Sequence, residues 1–253
     1  MDRIVDFPLL VFAISLIALW LAAQIGNALG RRGRLLDEAA RTDFDVIRTA
    51  IFTLLALIVG FTFSMAVNRY DQRKNLEEAE ANAIGTEYIR ADLLPTPAAA
   101  SVKGLLRRYL DLRLSFYRAR DEAQLEQIDA ETAKLENELW SEVKTPAEAQ
   151  PTPLAALVVS GMNDVLNSQG YTQAAWWNRL PAEAWSLMAV VALCGNLLLG
   201  YGARRSHILL FLAFSLTVST AFFLIADIDS PRKGVIRIAP QNLMSLSRSL
   251  SGG

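Results

Sequence analysis

Thr49 to Val67 is a run of 19 residues without a charge. At about 1.5 Å rise per residue, a helix of that length crosses the ~30 Å hydrocarbon core of a bilayer. Asn68, Arg69 and Tyr70 then supply an amphipathic exit at headgroup level. Nothing stops the helix there. From Asp71 to Leu93 there is no proline and one glycine, and Leu76, Ala79, Ala83 and Tyr88 keep a helical period, so the spacing predicts one helix from Ile47 to Pro95, where proline ends it. A chain built on such an element is a membrane protein.

The polarity of the crossing part is uneven. Thr49, Thr53, Leu57, Gly60, Phe61, Ser64 and Asn68 fall on one face, within roughly 100° of one another. Ile51, Leu55, Ile58 and Met65 lie largely off it, with Thr62 the polar exception among them. A stripe of Thr, Gly, Ser and Asn has two readings: close packing against another helix, or a surface that lines water. Spacing alone leaves both open.

The 253 residues carry a formal net charge of −1 and are 52% hydrophobic, an average that hides a division into apolar and charged blocks. Cys194 is the single cysteine and His207 the single histidine. An intrachain disulfide is therefore impossible, and a Ser-His or Cys-His catalytic pair or a His/Cys zinc site is close to excluded. No enzymatic constellation emerges, and no nucleic-acid partner is expected. The first apolar run has acids ahead of it and is long enough to span, so it is not read as a cleavable signal peptide.

Taken in order, the first span is expected at Phe7–Leu29. A solvated loop follows over Gly30–Asp45, where Arg31, Arg32, Arg34 and Arg41 mix with Asp37, Glu38, Asp43 and Asp45. The polar region from 68 to 180 lacks strand-like alternation and reads as an all-helical extramembrane domain. Ala98–Arg120 carries Val102, Leu105, Leu106, Tyr109, Leu112 and Phe116 on one face beside many cations, whereas Asp121–Lys144 is rich in acids with Leu125, Ile128, Leu135 and Leu139 on its apolar side. Opposite charge and matching apolar faces predict that these two helices meet. Pro146, Pro151 and Pro153 mark a break, and a short helix is expected over Leu154–Asn167.

Trp176, Trp177 and Arg179 resemble an interfacial anchor ahead of the third span, Ala184–Ala203, whose Asn196 is expected to bond to a neighbouring helix. Arg204, Arg205 and Ser206 leave room only for a hairpin before the fourth span, His207–Ala226. The tail from 227 to 253 is read as surface-bound or loose. The fold class is thus an all-α membrane protein: spans near 7–29 and 49–67, a helical domain over 68–180, and spans near 184–203 and 207–226.

Gly60-Phe61 followed eight residues later by Arg69-Tyr70 resembles the second-span motif of bestrophins. The stretch Glu80 to Pro95 is closer still to the bacterial bestrophin-like family, once known only as a domain of unknown function, and Pro231 to Gly234 sits where bestrophins place a turn after their last span. The resemblance covers nearly the whole chain. It implies a homopentameric channel for inorganic anions such as chloride in the cell (inner) membrane, multi-pass, with the helical domain on the cytosolic side. The three neck positions of bestrophins correspond to Thr53, Leu57 and Phe61, which fall on the stripe described above, with Gly60 and Ser64 beside them. Bestrophin necks are apolar at all three positions, and Thr53 departs from that.

The resemblance also bears on two charged groups. Asp227 and Asp229 are similar to the acidic cluster that holds calcium in animal bestrophins, with Asp2 and Asp6 as helpers, against a plain reading as a helix terminus or an ion pair with Arg232 and Lys233. Arg69, Arg73 and Lys74 either ring the pore exit and attract anions or merely snorkel to the interface. The arginine-rich short loops argue for the opposite orientation to the one the resemblance implies. A non-conducting scaffold or sensor whose helical domain binds a partner is the second function class, and a transporter fits less because the span pairs share no interrupted pattern.

Overall fold

The structure is a computed structural model that describes residues 5–32, 38–203 and 208–251. Asp2, Arg34, Asp37 and the hairpin residues Arg204, Arg205, Ser206 and His207, all of which figure in the sequence reading, lie outside the described residues. Helix α1 is Pro8–Arg32, α2 is Glu38–Arg90, α3 is Thr96–Arg118, α4 is Glu122–Ala149, α5 is Pro153–Trp177, α6 is Ala182–Tyr201, α7 is Ile208–Asp229 and α8 is Gln241–Ser251, with a 3-10 turn over Ala91–Leu93. Four stretches hold helix long and apolar enough to cross a membrane: Pro8–Arg31, Ala40–Leu93, Pro153–Tyr201 and Ile208–Asp229. In the third, the apolar part is α6. The chain divides into two compact units, one of Met1–Tyr70 with Arg179–Arg237 and one of Asp71–Asn178 with Ile238–Gly253.

Within the first unit, α1 packs along α6 and α7. The α1–α6 crossing is close because glycine removes the side chains. A Cβ at Gly26 would run into the Leu197 carbonyl, and one at Gly200 would meet the Ala23 carbonyl and, 2.8 Å away, the Asn27 nitrogen. Small residues that let backbones approach are the usual source of helix association in lipid. Asn196 behaves as expected: the Ser215 hydroxyl on α7 donates to its Oδ1 at 3.2 Å. Leu19, Leu55, Met188, Phe222 and Ile225 form the core, and Phe52 of α2 joins it through the ring of Phe214 at 4.9 Å. The expected loop over Gly30–Asp45 is corrected on both sides. Helix α1 runs on to Arg32 and α2 starts at Glu38, with Arg48 paired to Asp45 at 3.0 Å.

In the second unit, α3 and α4 pack together, as their faces predict. Charge contributes little to that contact, since Arg108–Glu138 at 3.8 Å is solvent-exposed and Arg107 instead donates to the Tyr88 hydroxyl at 2.7 Å. Exposed pairs of this kind add about 0–1 kcal/mol, whereas Leu106 and Phe116 are buried. Aspartate at Leu106 and Phe116 is therefore expected to unfold the domain, while neutralising Arg107 and Arg108 should shift its melting only slightly. Thermal unfolding of the variants distinguishes the two contributions.

Several boundaries differ from the sequence reading. Pro146 lies inside α4 rather than breaking it, because in the last turn it forfeits a single helical bond and Gln150 still bonds back to its carbonyl at 3.0 Å. Helix α5 runs ten residues past Asn167, from a Thr152 cap that accepts from the Ala155 N–H at 3.1 Å. Trp176 is not an interfacial anchor: it is buried edge-on against Phe116 and Tyr117, and only Trp177 is exposed. The tail is not loose either. Glu77 accepts from Leu243 N at 2.9 Å and Asn242 Nδ2 at 2.7 Å, so a carboxylate far away in sequence caps α8.

The buried face of the second half of α2 is also turned from the one expected. Ala79 is exposed, while Arg73, Glu77, Glu80, Ile84, Glu87 and Ala91, spaced three and four apart, are buried. Four of these six are ionisable.

Candidate pore-lining surface

Within the first unit, Leu55, Thr62 and Ala66 are the buried residues of the α2 span. Thr49, Thr53, Leu57, Gly60, Phe61, Ser64 and Asn68 are all exposed, Phe61 by 64% and Leu57 by 54%. The chain's own helices therefore leave the stripe uncovered. Gly60 has nothing within 4 Å of where a Cβ would stand, so it serves no close approach inside the unit. The stripe does not pack one helix of the chain on another, and that removes half of the ambiguity left by the spacing.

The two threonine hydroxyls on this face are turned inward to their own helix. Thr53 donates to the Thr49 carbonyl at 2.9 Å and Thr49 to the Asp45 carbonyl at 2.8 Å. With its donor satisfied one turn back, Thr53 offers a solute less polarity than its name suggests. This narrows the departure from an apolar neck at Thr53, Leu57 and Phe61.

The three cations do not form one group. Lys74 is exposed. Arg73 is 1% exposed, and its Nε and Nη2 donate to the carbonyls of Ala175 and Asn178, both at 3.0 Å. It caps the C-terminus of α5, where the helix dipole favours a cation, and its guanidinium is directed into the domain. Arg69 is half-buried, with Nε and Nη1 shielded from solvent and without a hydrogen-bond partner among the described residues. At about 100° per residue, Arg69 and Arg73 face away from the stripe, while Lys74 and the exposed Asp71 fall nearer to it.

Asp227 and Asp229 are buried at the end of α7. Asp227 accepts from Val235 N at 2.6 Å and Ile236 N at 2.8 Å, and both oxygens of Asp229 accept from Leu180 N at 3.2 Å. Gly234 permits this turn, because a Cβ there would meet the Asp227 carbonyl. Asp6 pairs with Arg179. Calcium takes six or more oxygens, and among the described residues no group of three His, Cys, Asp or Glu side chains converges. These residues do not fit a calcium cage. They staple the segment after α7 and the approach to α6 through backbone N–H groups.

Sequence reasoning missed the ionic core of the second unit. Arg113 of α3 and Glu80 of α2, both fully buried, are paired, and Glu80 also accepts from Tyr117 at 3.2 Å and Thr172 at 3.4 Å. The Arg113 guanidinium stands 4.4 Å from the Phe116 ring centroid. Burial pushes the Glu80 carboxyl up, and Arg113 with the two hydroxyls pulls against it. Burial opposes the charge on Arg113, but Glu80 together with Tyr109 and Tyr117 outweighs it and holds the guanidinium above its usual range. A signal was present: Arg113 shares the stripe of Leu106, Tyr109 and Phe116 at helical spacing.

Comparison with known proteins bears on the whole chain. Residues 10–243 match the model of the bestrophin-like domain. Crystal structures of a bacterial bestrophin homolog from Klebsiella pneumoniae superpose with TM-scores of 0.67 and 0.69 at 16% and 15% identity, covering 94% and 95% of this chain and 97% and 96% of theirs. A third structure of that homolog gives 0.67 at 16% identity, covering 95% of this chain and 97% of the other. At such identity these matches show a shared fold. No curated protein matches at the sequence level. A family match over this span, joined to the fold, establishes that the chain belongs to the bestrophin-like family.

Proposed function

We propose that the protein is an anion-selective pore of the cell membrane, formed by several copies around α2 and narrowest at Thr53, Leu57 and Phe61, with Gly60 and Ser64 lining the remainder. One observation carries this reading: the most continuous small-and-polar face of any span is the one the chain leaves exposed. The other spans present mostly apolar residues outward, Leu9, Ile17, Leu187 and Leu209 among them, which suit lipid and offer no aqueous lumen inside one subunit. A water path then lies on the axis of an oligomer. The family's channels and the fold support that geometry, and the resemblance to bestrophins favours five copies.

Selectivity is assigned to Lys74, the exposed cation of the three that lies nearest the stripe. A ring of cations concentrates anions, and the exposed Asp71 on the same turn works against it. The subunit count of the purified protein together with reversal potentials in planar bilayers tests the proposal. A symmetric oligomer is expected, with chloride preferred over sodium, Lys74→Glu lowering that preference and Asp71→Asn raising it. A monomer, or an oligomer that stays silent under varied voltage, sends the assignment to a membrane scaffold.

A further inference from the structure

Glu87 occupies an unusual position in the second unit. It is 0% exposed, and neither carboxylate oxygen accepts a hydrogen bond among the described residues. Its place on α5 is made by Gly161, where a Cβ would fall on Glu87 Oε2 and lie 2.6 Å from Arg90 Nη1. The carboxyl and the guanidinium thus share a slot that only glycine leaves open. The charged groups that face Glu87 are Arg90 on its own helix and Asp164 on α5, one turn beyond Gly161. Among the cations of α3, Lys103 is held by Asp92 at 2.6 Å and Arg107 by the Tyr88 hydroxyl. Arg248 of α8 bonds to the Met244 carbonyl of its own helix.

We propose that Glu87 is a proton-operated latch, which lets α5 close over α2 while it is neutral and loosens that contact when it ionises. An ionised carboxylate without hydrogen bonds is a poor occupant of a sealed helix contact, and a neutral one fits it. Burial pushes the carboxyl up from its usual 4.5 to about 8, Arg90 pulling it down and Asp164 adding to the rise. Because the folded protein holds this proton more tightly than the unfolded chain, the stabilising effect is full below about pH 4.5. It declines as pH rises and is gone above about pH 8. The domain is therefore tight in mildly acidic conditions and looser in mildly alkaline ones. The same helix α2 carries the stripe at Thr53 to Phe61, so, resting on the pore reading, the latch is a means for protons to regulate the channel.

Purified full-length protein in detergent tests the latch apart from any current. Thermal unfolding of wild type should fall between pH 6 and pH 9 by more than that of Glu87→Gln, which copies the neutral acid and should be the more stable of the two at pH 9. Hydrogen exchange of wild type alone, corrected for the intrinsic pH dependence of amide exchange, should show protection around Gly161 dropping about tenfold or more over the same range. This second measurement stands even where the variant fails to fold. Equal pH slopes in wild type and Glu87→Gln, or unchanged protection around Gly161, overturn the proposal. Absence of current with the pH effects intact would sink the pore reading and leave the latch standing.

Discussion

Arg113→Met is expected to cost the helical domain about 3–5 kcal/mol, the range for removing one partner of a buried ion pair. The residue and Glu80 are both fully buried, and the loss strands a carboxylate whose remaining partners are the Tyr117 and Thr172 hydroxyls. Glu80→Leu should be comparably damaging, because it leaves the guanidinium over the Phe116 face without its paired carboxylate. The double variant should recover much of either loss, since a buried pair replaced by apolar residues of similar volume is often near neutral. Chemical denaturation of the full chain, followed by hydrogen exchange in α3 and α5, gives the cycle. Single losses that simply add in the double variant would mean that Arg113 and Glu80 act through packing and not through each other.

That pair marks where the sequence stopped being legible. The four spans are readable because one rule governs them: a charge-free run long enough for the bilayer has no soluble alternative. The helical domain obeys no single rule. Its buried α2 face carries Arg73, Glu77, Glu80 and Glu87, residues that read as solvated when met singly. What makes their burial tolerable is distant in sequence: carbonyls at the end of α5 for Arg73, the start of α8 for Glu77, and Arg113 for Glu80. The tail fails for the same reason. Its serines argue against helix, and the cap that fixes α8 sits more than 160 positions earlier.

The candidate site was legible in part. Periodicity picked out the stripe, but periodicity cannot tell a face that packs from one that does not, and only the fold left it exposed. The cations near Arg69 read as one cluster because they are close along the chain. A helix separates neighbours by azimuth, and Arg73 is turned into the domain as a cap for α5. Asp227 and Asp229 look like metal ligands for a comparable reason, since the N–H donors that occupy them belong to a turn and to Leu180, which no spacing motif encodes.

Phe61→Ala is expected to raise chloride conductance several-fold or to hold the pore open. Phe61 is the bulkiest residue of the stripe and is 64% exposed in the single chain, so its ring is free to project toward an axis shared by several copies. Repeated around that axis, with Leu57 one turn away, it would form the apolar constriction proposed above, excluding water by dewetting as well as by size. Truncation to alanine removes the ring once per subunit, and Gly60 and Ser64 beside it provide no replacement bulk. The stability of the fold should barely change, because Phe61 contributes little to the chain's own core. Leu55→Ala supplies the contrast. Leu55 is 4% exposed and belongs to the core with Phe222, so its loss should destabilise the protein by about 2–5 kcal/mol and leave the conductance of the folded fraction unaltered. Single-channel recording and thermal unfolding of both variants separate the faces of α2. A conductance gain in Leu55→Ala but none in Phe61→Ala would place the pore on the other side of the helix.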